Sequence, residues 1–294
     1  MSDRKALVGL IGANIMSSLS PALHIDAFAA AGIDGYYHLM DVDVLKGRTL
    51  PQLLDAVKVT GFSGTNVTFP FKQEVMALLD ETDGEAAEIG AINTVTIARD
   101  GRTRGYNTDC RGFRRNFEEG LGRERAKDAS VVLVGAGGAG RAVAVALIDL
   151  GVAALAIHDR EPGRAAGLVK DLNKYCGASC SRVSENLEGD VGRADGVVNA
   201  TPIGMKGFPG NPVPVVALAA RHWAADVIYT PIETAFIKAA AAKGCRVLTG
   251  GGMCVHQAAE AFRLFTGIEP DVARMHRTFA RALAARDAAP AEAL

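Results

Sequence analysis

The chain lacks a surplus of charge of either sign, and it lacks long hydrophobic runs. Its 294 residues include 32 lysines and arginines against 33 aspartates and glutamates, so a net charge of −1 predicts no basic surface for nucleic acid. No apolar run approaches the roughly 18 residues that a membrane span requires, and the N-terminus has no apolar export segment. We therefore expect a cytoplasmic protein with neither a nucleic-acid partner nor a membrane partner.

Cysteine is also scarce, with five residues in an odd and scattered set. Cys176 and Cys180 are close in sequence, but no second pair and no histidine cluster completes a zinc site. We predict five free thiols in a reducing compartment and no metal centre. Apolar residues, at 49%, suffice for a large core, and the length suits about two domains.

What the chain does contain is one complete βαβ pattern, at residues 130–159. The apolar residues 131–134 predict a buried strand, and the turn GAGGAG then leads into an alanine-rich helix. Gly135 allows the tight turn, Gly137 lets the backbone approach a pyrophosphate, and Gly140 lets the helix pack closely on the sheet. The helix N-terminus offers N–H groups and a positive dipole to phosphate. The pattern predicts a Rossmann-type dinucleotide-binding domain.

Asp159 closes this unit at the end of its second strand. An acid there accepts the ribose hydroxyls of NAD and repels the 2′-phosphate of NADP, so Asp159 favours NAD as the cofactor. The same side chain could cap the helix that follows, and the two roles are compatible.

The whole pattern predicts an α/β protein of two domains. Residues 1–110 form a mixed α/β substrate domain whose predicted strands lie at 7–11, 36–42, 62–68, 92–98 and 102–106. Residues 111–251 form the doubly wound dinucleotide-binding domain, with a strand predicted at 225–229. After a flexible crossing at 250–252, helices within residues 252–294 return to complete the first domain. A chain that crosses twice makes a cleft, where small ligands bind.

Ser18 and Ser20 lie in a loop after the first strand. Two hydroxyls spaced by two residues can point to the same side of an extended loop and hold a carboxylate. Ser20 precedes Pro21, however, which fits the first position of a helix, so Ser20 could instead be the N-cap.

Asn66, Thr68 and Lys72 form a second polar group. Asn66 and Thr68 share one face of a predicted strand, because alternate residues point to the same side. Lys72 follows at the start of a helix predicted at 71–79, where the helix dipole disfavours a cation. This local cost indicates that Lys72 is kept for function, although a solvated helical lysine is the alternative.

Asn93 and Asp109 complete the polar set. Asn93 is an amide in an otherwise apolar predicted strand, so it needs buried partners. Asp109 follows a predicted hairpin and could act on a ligand or cap the next helix. With Lys72, these groups suit a substrate rich in hydroxyls, whose oxidation by hydride transfer needs a proton acceptor. No triad pattern and no metal-ligand spacing competes.

Eight ordered motifs resemble the shikimate dehydrogenase family along nearly the whole chain: SLSP at 18–21, NVTFPFK at 66–72, GAINT at 90–94, NTD at 107–109, the glycine turn, NATPIGM at 199–205, DVIYTP at 226–231 and the segment 253–259. The resemblance implies a reversible NAD(P)-linked oxidation of a ring hydroxyl of shikimate. It implies that Lys72 accepts the proton, that Asp109 hydrogen-bonds the same hydroxyl, and that Ser18 and Ser20 hold the substrate carboxylate. The implied lining of the substrate pocket is Asn66, Thr68, Asn93, Tyr229 and Gln257. The expected cofactor-binding residues are Gly135, Ala136, Gly137, Gly138, Ala139, Asp159, Arg160, Arg164, Thr201, Val227, Gly250 and Met253.

The chain departs from the family pattern after the second Rossmann strand. NADP-linked members usually carry Asn-Arg-Thr there, whereas this chain has Asp159-Arg160-Glu161, with Arg164 nearby. One like-charge contact at about 4 Å costs roughly 4 kcal/mol at an effective dielectric constant near 20, before screening. An exposed arginine contact contributes under about 1 kcal/mol. The chain therefore resembles the NAD-preferring quinate/shikimate dehydrogenase branch, with NADP as the alternative cofactor. Ser17 stands where biosynthetic members commonly carry a histidine.

We predict reversible NAD-dependent oxidation of shikimate and/or quinate to the 3-dehydro acid, by a monomer or a homodimer. The first alternative is an NADPH-dependent biosynthetic shikimate dehydrogenase of the aromatic amino-acid pathway. The second is a non-catalytic dinucleotide-binding regulator. The choice between quinate and shikimate depends on one or two hydroxyl contacts and stays open.

Overall fold

The computed structural model describes residues 4–288. The chain is of the α/β class and divides into two compact units, each with its own six-stranded sheet. The first unit comprises Met1–Thr108 and Val255–Leu294, and the second comprises Asp109–Cys254. The sequence-based boundaries, after residues 110 and 251, lie within a few residues of these. Within residues 4–288, no helix combines the length and the apolar character needed to cross a membrane.

The sheet of the first unit is mixed. Its strands are β1 (Lys5–Gly12), β2 (Asp34–Asp41), β3 (Gly64–Val67), β4 (Glu81–Thr82), β5 (Thr94–Ile97) and β6 (Thr103–Tyr106), in the order β2-β1-β3-β5-β6-β4. Strands β2, β1 and β3 run parallel, whereas β5 is antiparallel to both β3 and β6. Gly101, with a φ of +83°, lies in the turn of the predicted β5–β6 hairpin. The mixed α/β character predicted for this part of the chain is confirmed.

The helices before the crossing to the second unit are α1 (Ser20–Ala30), α2 (Leu50–Val59) and α3 (Gly84–Ile89). Two predictions about this region are wrong. Ser20 is the first helical residue of α1, and the N-cap position falls on Leu19, which makes no side-chain capping bond. The helix predicted at 71–79 is only a 3₁₀ turn, Glu74–Leu78. Lys72 therefore does not start an α-helix, and the helix-dipole argument for its function does not apply.

All six strands of the second unit are parallel. They are β7 (Ser130–Val134), β8 (Ala154–His158), β9 (Ser181–Val183), β10 (Gly196–Asn199), β11 (Trp223–Asp226) and β12 (Arg246–Leu248), in the order β12-β11-β10-β7-β8-β9. In this doubly wound order the direction of winding reverses between β7 and β10, and ligands bind at that reversal. The Rossmann-type prediction is confirmed.

The helices of the second sheet are α4 (Asp109–Gly120), α5 (Gly138–Leu150), α6 (Pro162–Tyr175), α7 (Leu187–Arg193) and α8 (Ala235–Ala242). Residues 131–134 of β7 are at most 3% exposed. Such burial is expected of a parallel strand, because helices cover both faces of its sheet. Strand β11 ends at Asp226, so the strand predicted at 225–229 is wrong in its end, and Tyr229 lies in the following loop.

Two C-terminal helices, α9 (Gly251–Thr266) and α10 (Val272–Ala288), carry the chain back to the first unit. The flexible crossing predicted at 250–252 is wrong, since α9 already begins at Gly251. Helix α10 packs on α1, where Asp26 accepts two hydrogen bonds from the guanidinium of Arg274 and one from the hydroxyl of Thr278, each at 2.8 Å. The bond from Arg274 is the main cause that lowers the pKa of Asp26 to about 2. The predicted return of these helices is confirmed.

Cys176 and Cys180 form a disulfide after α6. The prediction of five free thiols is therefore wrong for this pair, because sequence spacing alone does not say whether two Cβ atoms approach. Cys110, Cys245 and Cys254 are buried thiols outside this disulfide.

Candidate active site

The glycine turn follows β7 at the carboxyl edge of the second sheet. Gly135 has a φ of +107°, which L side chains rarely adopt, and its N–H donates to the carbonyl of His158 at 2.8 Å. A Cβ at Gly140 would overlap the carbonyl oxygen of Gly135. Helix α5 can therefore approach the strand this closely only with glycine at 140. The structural roles predicted for both glycines are confirmed.

Gly137 differs because an added side chain there would meet no atom of residues 4–288. It is the N-cap of α5, a helix of 13 residues, and a Cβ added there meets nothing within 4 Å. Gly137, Gly138 and Ala139 are partly exposed, and the first N–H groups of a helix have no intrahelical partner. The open space and these N–H groups fit the pyrophosphate of a dinucleotide.

Asp159 follows β8 and is tied to the glycine turn. Its Oδ2 accepts the N–H of Ala136 at 2.8 Å, and its Oδ1 accepts the N–H of Glu161 at 2.9 Å. A carboxylate has about four lone-pair positions, so capacity is left for ribose hydroxyls. The alternative that Asp159 caps α6 is wrong, because Glu161 holds the N-cap position.

Glu161 pairs with both neighbouring arginines. Its carboxylate lies 2.9 Å from Nε of Arg164 and 4.0 Å from Nε of Arg160. All three side chains are about half exposed or more, so these ion pairs are screened and weak. Glu161 and Asp159 together place two negative charges beside the two arginine cations that could bind a 2′-phosphate.

A buried carboxyl, Asp226, joins the loops that follow β10 and β11. Asp226 is 2% exposed and accepts from the side-chain amide of Asn199 at 3.1 Å, the N–H of Ile228 at 3.0 Å and the hydroxyl of Thr234 at 2.7 Å. Oδ1 of Asn199 in turn accepts the N–H and the hydroxyl of Thr201 at 3.0 and 2.7 Å. Burial raises the pKa of Asp226 to about 6, although the three donors oppose the rise. The network fixes both loops at the edge where the sheet would bind a ligand.

Four more predicted cofactor residues lie near the carboxyl ends of β10, β11 and β12. Thr201 and Val227 follow β10 and β11, and the N–H of Val227 donates to the carbonyl of Asn199 at 3.1 Å. A Cβ at Gly250 would overlap the carbonyl oxygen of Val227, so this close approach requires glycine. Met253 is buried in the first turn of α9. Dinucleotides bind at this edge of doubly wound sheets.

In the first unit, Asn66 is held by three partners near the end of β3. The hydroxyl of Tyr37 donates to its Oδ1 at 2.9 Å. Its Nδ2 donates to the carbonyl of Asn93 at 3.1 Å and to the hydroxyl of Thr94 at 2.9 Å. Both amide hydrogens are used, and one lone pair of Oδ1 is left. Asn66 can therefore accept a hydrogen bond from a substrate hydroxyl but has none to donate.

Asn93 has the opposite capacity. Its Oδ1 accepts the N–H of Thr108 at 2.8 Å and the hydroxyl of Thr94 at 3.0 Å, and its Nδ2 donates to the hydroxyl of Thr108 at 2.9 Å. One amide hydrogen is left for a substrate oxygen. The predicted need for buried partners is confirmed, although Asn93 lies just before β5 rather than inside a strand.

The segment 91–93 also holds the backbone of Lys72 and of Thr108. The carbonyl of Lys72 accepts the N–H of Ile92 at 2.7 Å, and Asn93 binds Thr108, the residue before Asp109. Lys72 is half-buried in the turn before the 3₁₀ helix. Asp109 is 5% exposed and is the first residue of α4, so the alternative that it is the N-cap of this helix is wrong.

The serine loop, residues 13–20, runs from the end of β1 to the first residue of α1. Oγ of Ser18 accepts the N–H of Ser20 at 3.2 Å, so the Ser18 hydroxyl keeps its hydrogen for a ligand. Ser20 is 8% exposed. Thr68, one residue beyond β3, donates its N–H to the carbonyl of Ile11 at 2.9 Å. Since β1 and β3 are adjacent and parallel, the polar groups at their carboxyl ends share one edge of the sheet.

The remaining predicted substrate residues are half-buried, Gln257 on α9 and Tyr229 after β11. Their place in a substrate pocket stays a prediction. Sequence reasoning missed Tyr37, Asp41 and Asp226, which hold the predicted residues in place. A polar residue within or at the end of an apolar strand is the signal that could have found them.

Two family models match the chain. The shikimate dehydrogenase substrate binding domain matches residues 10–95, and the shikimate 5′-dehydrogenase C-terminal domain matches residues 250–278. The chain is 47% identical to the quinate/shikimate dehydrogenase (NAD(+)) of Corynebacterium efficiens, over 95% of this chain and 99% of the relative. It is 44% identical to the shikimate dehydrogenase (NADP(+)) of Streptomyces avermitilis, over 94% of this chain and 95% of the relative.

Solved structures extend the similarity to the fold. The quinate dehydrogenase from Corynebacterium glutamicum in complex with NAD matches with a TM-score of 0.87 and 46% identity, over 95% of this chain and 100% of that chain. The shikimate 5-dehydrogenase from Thermus thermophilus in complex with NADP(H) and shikimate matches with a TM-score of 0.81 and 36% identity, with the same coverage of 95% and 100%. The motifs, the two sheets and these relatives agree: the chain belongs to the shikimate dehydrogenase family of oxidoreductases.

Proposed function

We propose that this chain catalyses the reversible oxidation of a ring hydroxyl of quinate and/or shikimate to the 3-dehydro acid, with NAD as the hydride acceptor. Relatives named for both acids support the reaction class. The observation that carries the proposal is the shared anchor of the two catalytic candidates. Residues 91–93 fix the backbone of Lys72 and of Thr108, which immediately precedes Asp109.

Lys72 is the proposed proton acceptor. Oxidation of a secondary alcohol removes a proton from the hydroxyl and a hydride from the carbon, and Nζ of Lys72 takes the proton in its uncharged form. Asp109 accepts a hydrogen bond from the same hydroxyl and so orients it. In the reverse reaction Lys72 returns the proton to the carbonyl oxygen as the alcohol forms.

We propose that the substrate is held by side chains that each have a donor or an acceptor left after their hydrogen bonds within the protein. The Ser18 hydroxyl donates to the substrate carboxylate. Asn66 accepts from one ring hydroxyl, and Asn93 donates to the oxygen of another. Because neighbouring residues use the rest of each amide, the two side chains cannot exchange these roles, which favours one orientation of a polyhydroxylated ring.

The glycine turn and Asp159 are the proposed holders of NAD, which supplies the hydride acceptor when bound. The N–H groups at 137–139 bind the pyrophosphate, and Asp159 accepts from the ribose hydroxyls. Asp159 and Glu161 together oppose a 2′-phosphate. Arg160 and Arg164 favour the second candidate, the NADPH-linked biosynthetic enzyme, because they would bind that phosphate if Glu161 released them.

A four-way assay tests the proposal, with quinate and shikimate each supplied with NAD and with NADP. We expect kcat/KM with NAD to exceed that with NADP by about tenfold or more for at least one acid. A strong preference for NADP would overturn the choice of cofactor. Absence of turnover in all four combinations would overturn the reaction.

A cytoplasmic location and a monomeric or homodimeric state are part of the proposal. The buried thiols of Cys110, Cys245 and Cys254 fit a reducing compartment, whereas the disulfide between Cys176 and Cys180 argues against one.

A further inference from the structure

Asp41 is a buried carboxylate at the end of β2, outside every motif described above. It is 2% exposed. Its Oδ2 accepts the N–H of Ile15 at 2.7 Å, and its Oδ1 accepts the N–H of Asn14 at 3.2 Å and that of Asp43 at 3.0 Å. Two of these three donors belong to the serine loop, so the carboxylate fixes the start of that loop.

A continuous series of hydrogen bonds leads from Asp41 to the serine hydroxyl. The peptide N–H of Ile15 donates to Asp41, and the carbonyl of Ile15 accepts the N–H of Ser18 at 2.9 Å. Oγ of Ser18 then accepts the N–H of Ser20 at 3.2 Å. Each bond fixes the group that makes the next, and the last leaves the Ser18 O–H as a donor.

The start of the serine loop needs such an anchor because one of its residues has an unfavourable backbone conformation. Asn14 has a φ of +55°, a left-handed conformation that costs free energy and persists only where the surroundings impose it. Asp43 also accepts the N–H of Asn14, at 2.9 Å, but this bond is exposed. The bond from Ile15 to Asp41 is buried, and a buried hydrogen bond to a charged acceptor contributes more than an exposed one, so Asp41 is the principal anchor.

We propose that Asp41 is a positioning residue for substrate recognition, which sets the Ser18 hydroxyl at the substrate carboxylate. This inference rests on the proposed function of Ser18. It predicts that Asp41 governs the affinity for the acid and leaves both hydride transfer and NAD binding unaffected.

The variant Asp41→Asn tests the proposal, because its amide nitrogen is a donor and would face a backbone N–H. The hydrogen bonds to one of the two carboxylate oxygens are therefore lost, while the volume of the side chain is kept. We expect KM and the equilibrium Kd for quinate and shikimate to rise about tenfold, kcat to stay within about threefold, and the Kd for NAD to stay unchanged. An unchanged affinity for both acids, or an equal loss of NAD affinity, would overturn the proposal.

The matched control is Asp26→Asn, the same change at a carboxylate of the first unit that binds Arg274 and Thr278 on α10. If Asp41 acts by positioning Ser18, Asp26→Asn leaves the affinity for the acids unchanged, even if it lowers Tm by as much as Asp41→Asn does. A comparable rise in Kd in both variants would assign Asp41 a merely structural role and overturn the proposal.

A double-mutant cycle with Ser18→Ala asks whether Asp41 acts through Ser18. The loss of acid affinity in the double variant should be smaller than the product of the two single losses, because Asp41→Asn cannot displace a hydroxyl that Ser18→Ala has already removed. Fully multiplicative losses would overturn the proposed route.

If Asp41→Asn does not fold, the milder Asp43→Asn, which removes one acceptor from the N–H of Asn14, should raise the Kd for the acids about twofold to threefold. Equilibrium binding needs no turnover, so a wild-type chain that binds the acids without oxidising them would overturn the proposed reaction alone.

Discussion

Gly140 lies against the carbonyl oxygen of Gly135 with no room for a side chain between them. This contact joins α5 to the end of β7 and thereby fixes the turn that precedes the helix. Gly137, in the same turn, has open space where its Cβ would lie. The protein itself therefore requires glycine at 140, whereas at 137 we propose that the space is kept for the ligand.

The variant Gly137→Ala should fold as the wild type does and bind NAD roughly tenfold more weakly or worse, since its Cβ occupies the space that we assign to the pyrophosphate. Gly140→Ala should lower Tm by several degrees, because its Cβ overlaps backbone. Thermal unfolding and NAD titration separate the two effects. Wild-type NAD affinity in Gly137→Ala would remove the pyrophosphate from this position.

Glu161→Thr should raise kcat/KM with NADP about tenfold and change the value with NAD by less than about twofold. The reason is that Arg164 loses its partner at 2.9 Å and a negative charge leaves the region proposed for the 2′-phosphate. Adding Arg164→Ala to this variant should reduce the gain to the part that comes from the lost negative charge. An undiminished gain after the second change would show that Arg164 does not bind the phosphate.

His24 should make stability fall as the solution becomes acidic. The ring is buried against Tyr37, at a centroid distance of 4.7 Å, and neither nitrogen has a hydrogen-bond partner among residues 4–288. Burial lowers the pKa of His24 from 6.5 to about 3. Between these pH values the unfolded chain binds a proton that the folded chain does not bind. The free energy of unfolding therefore falls by about 1.4 kcal/mol for each unit by which the pH is lowered.

Urea unfolding of His24→Phe at pH values from 7 to 4.5 measures this linkage. We expect its free energy of unfolding to fall less steeply with decreasing pH than that of the wild type. The difference in slope should correspond to about one proton fewer taken up on unfolding. Phe28→Leu is the control, because it disturbs the same aromatic cluster without removing a titrating group and should keep the wild-type slope. Equal slopes in His24→Phe and the wild type would mean that His24 is protonated while folded.

The parts of the fold that the sequence predicted well are those set by local pattern. The apolar strand, the glycine turn and the helix of residues 130–159 follow one another, and each part carries its own signal. The helix predicted at 71–79 failed for a long-range reason. In an α-helix the carbonyl of Lys72 would accept the N–H of Met76, but it accepts the N–H of Ile92 instead.

The candidate site divides in the same way. Short motifs contained the residues that we expect to touch a ligand, among them Lys72 and Ser18. The residues that hold them in place act from 26 to 29 positions away, as Asp41 does on Ile15 and Tyr37 on Asn66. No local pattern records such a pairing, so only the folded chain shows it.

The proton-accepting role of Lys72 is the central claim, and kcat of Lys72→Met measures it most directly. Methionine keeps much of the length of the side chain and cannot take a proton. We expect kcat for quinate and shikimate to fall about 10²-fold to 10⁴-fold with the Kd for NAD unchanged, while Lys58→Met, on α2, keeps wild-type turnover. A Lys72→Met enzyme that oxidises either acid at nearly the wild-type rate would contradict the account.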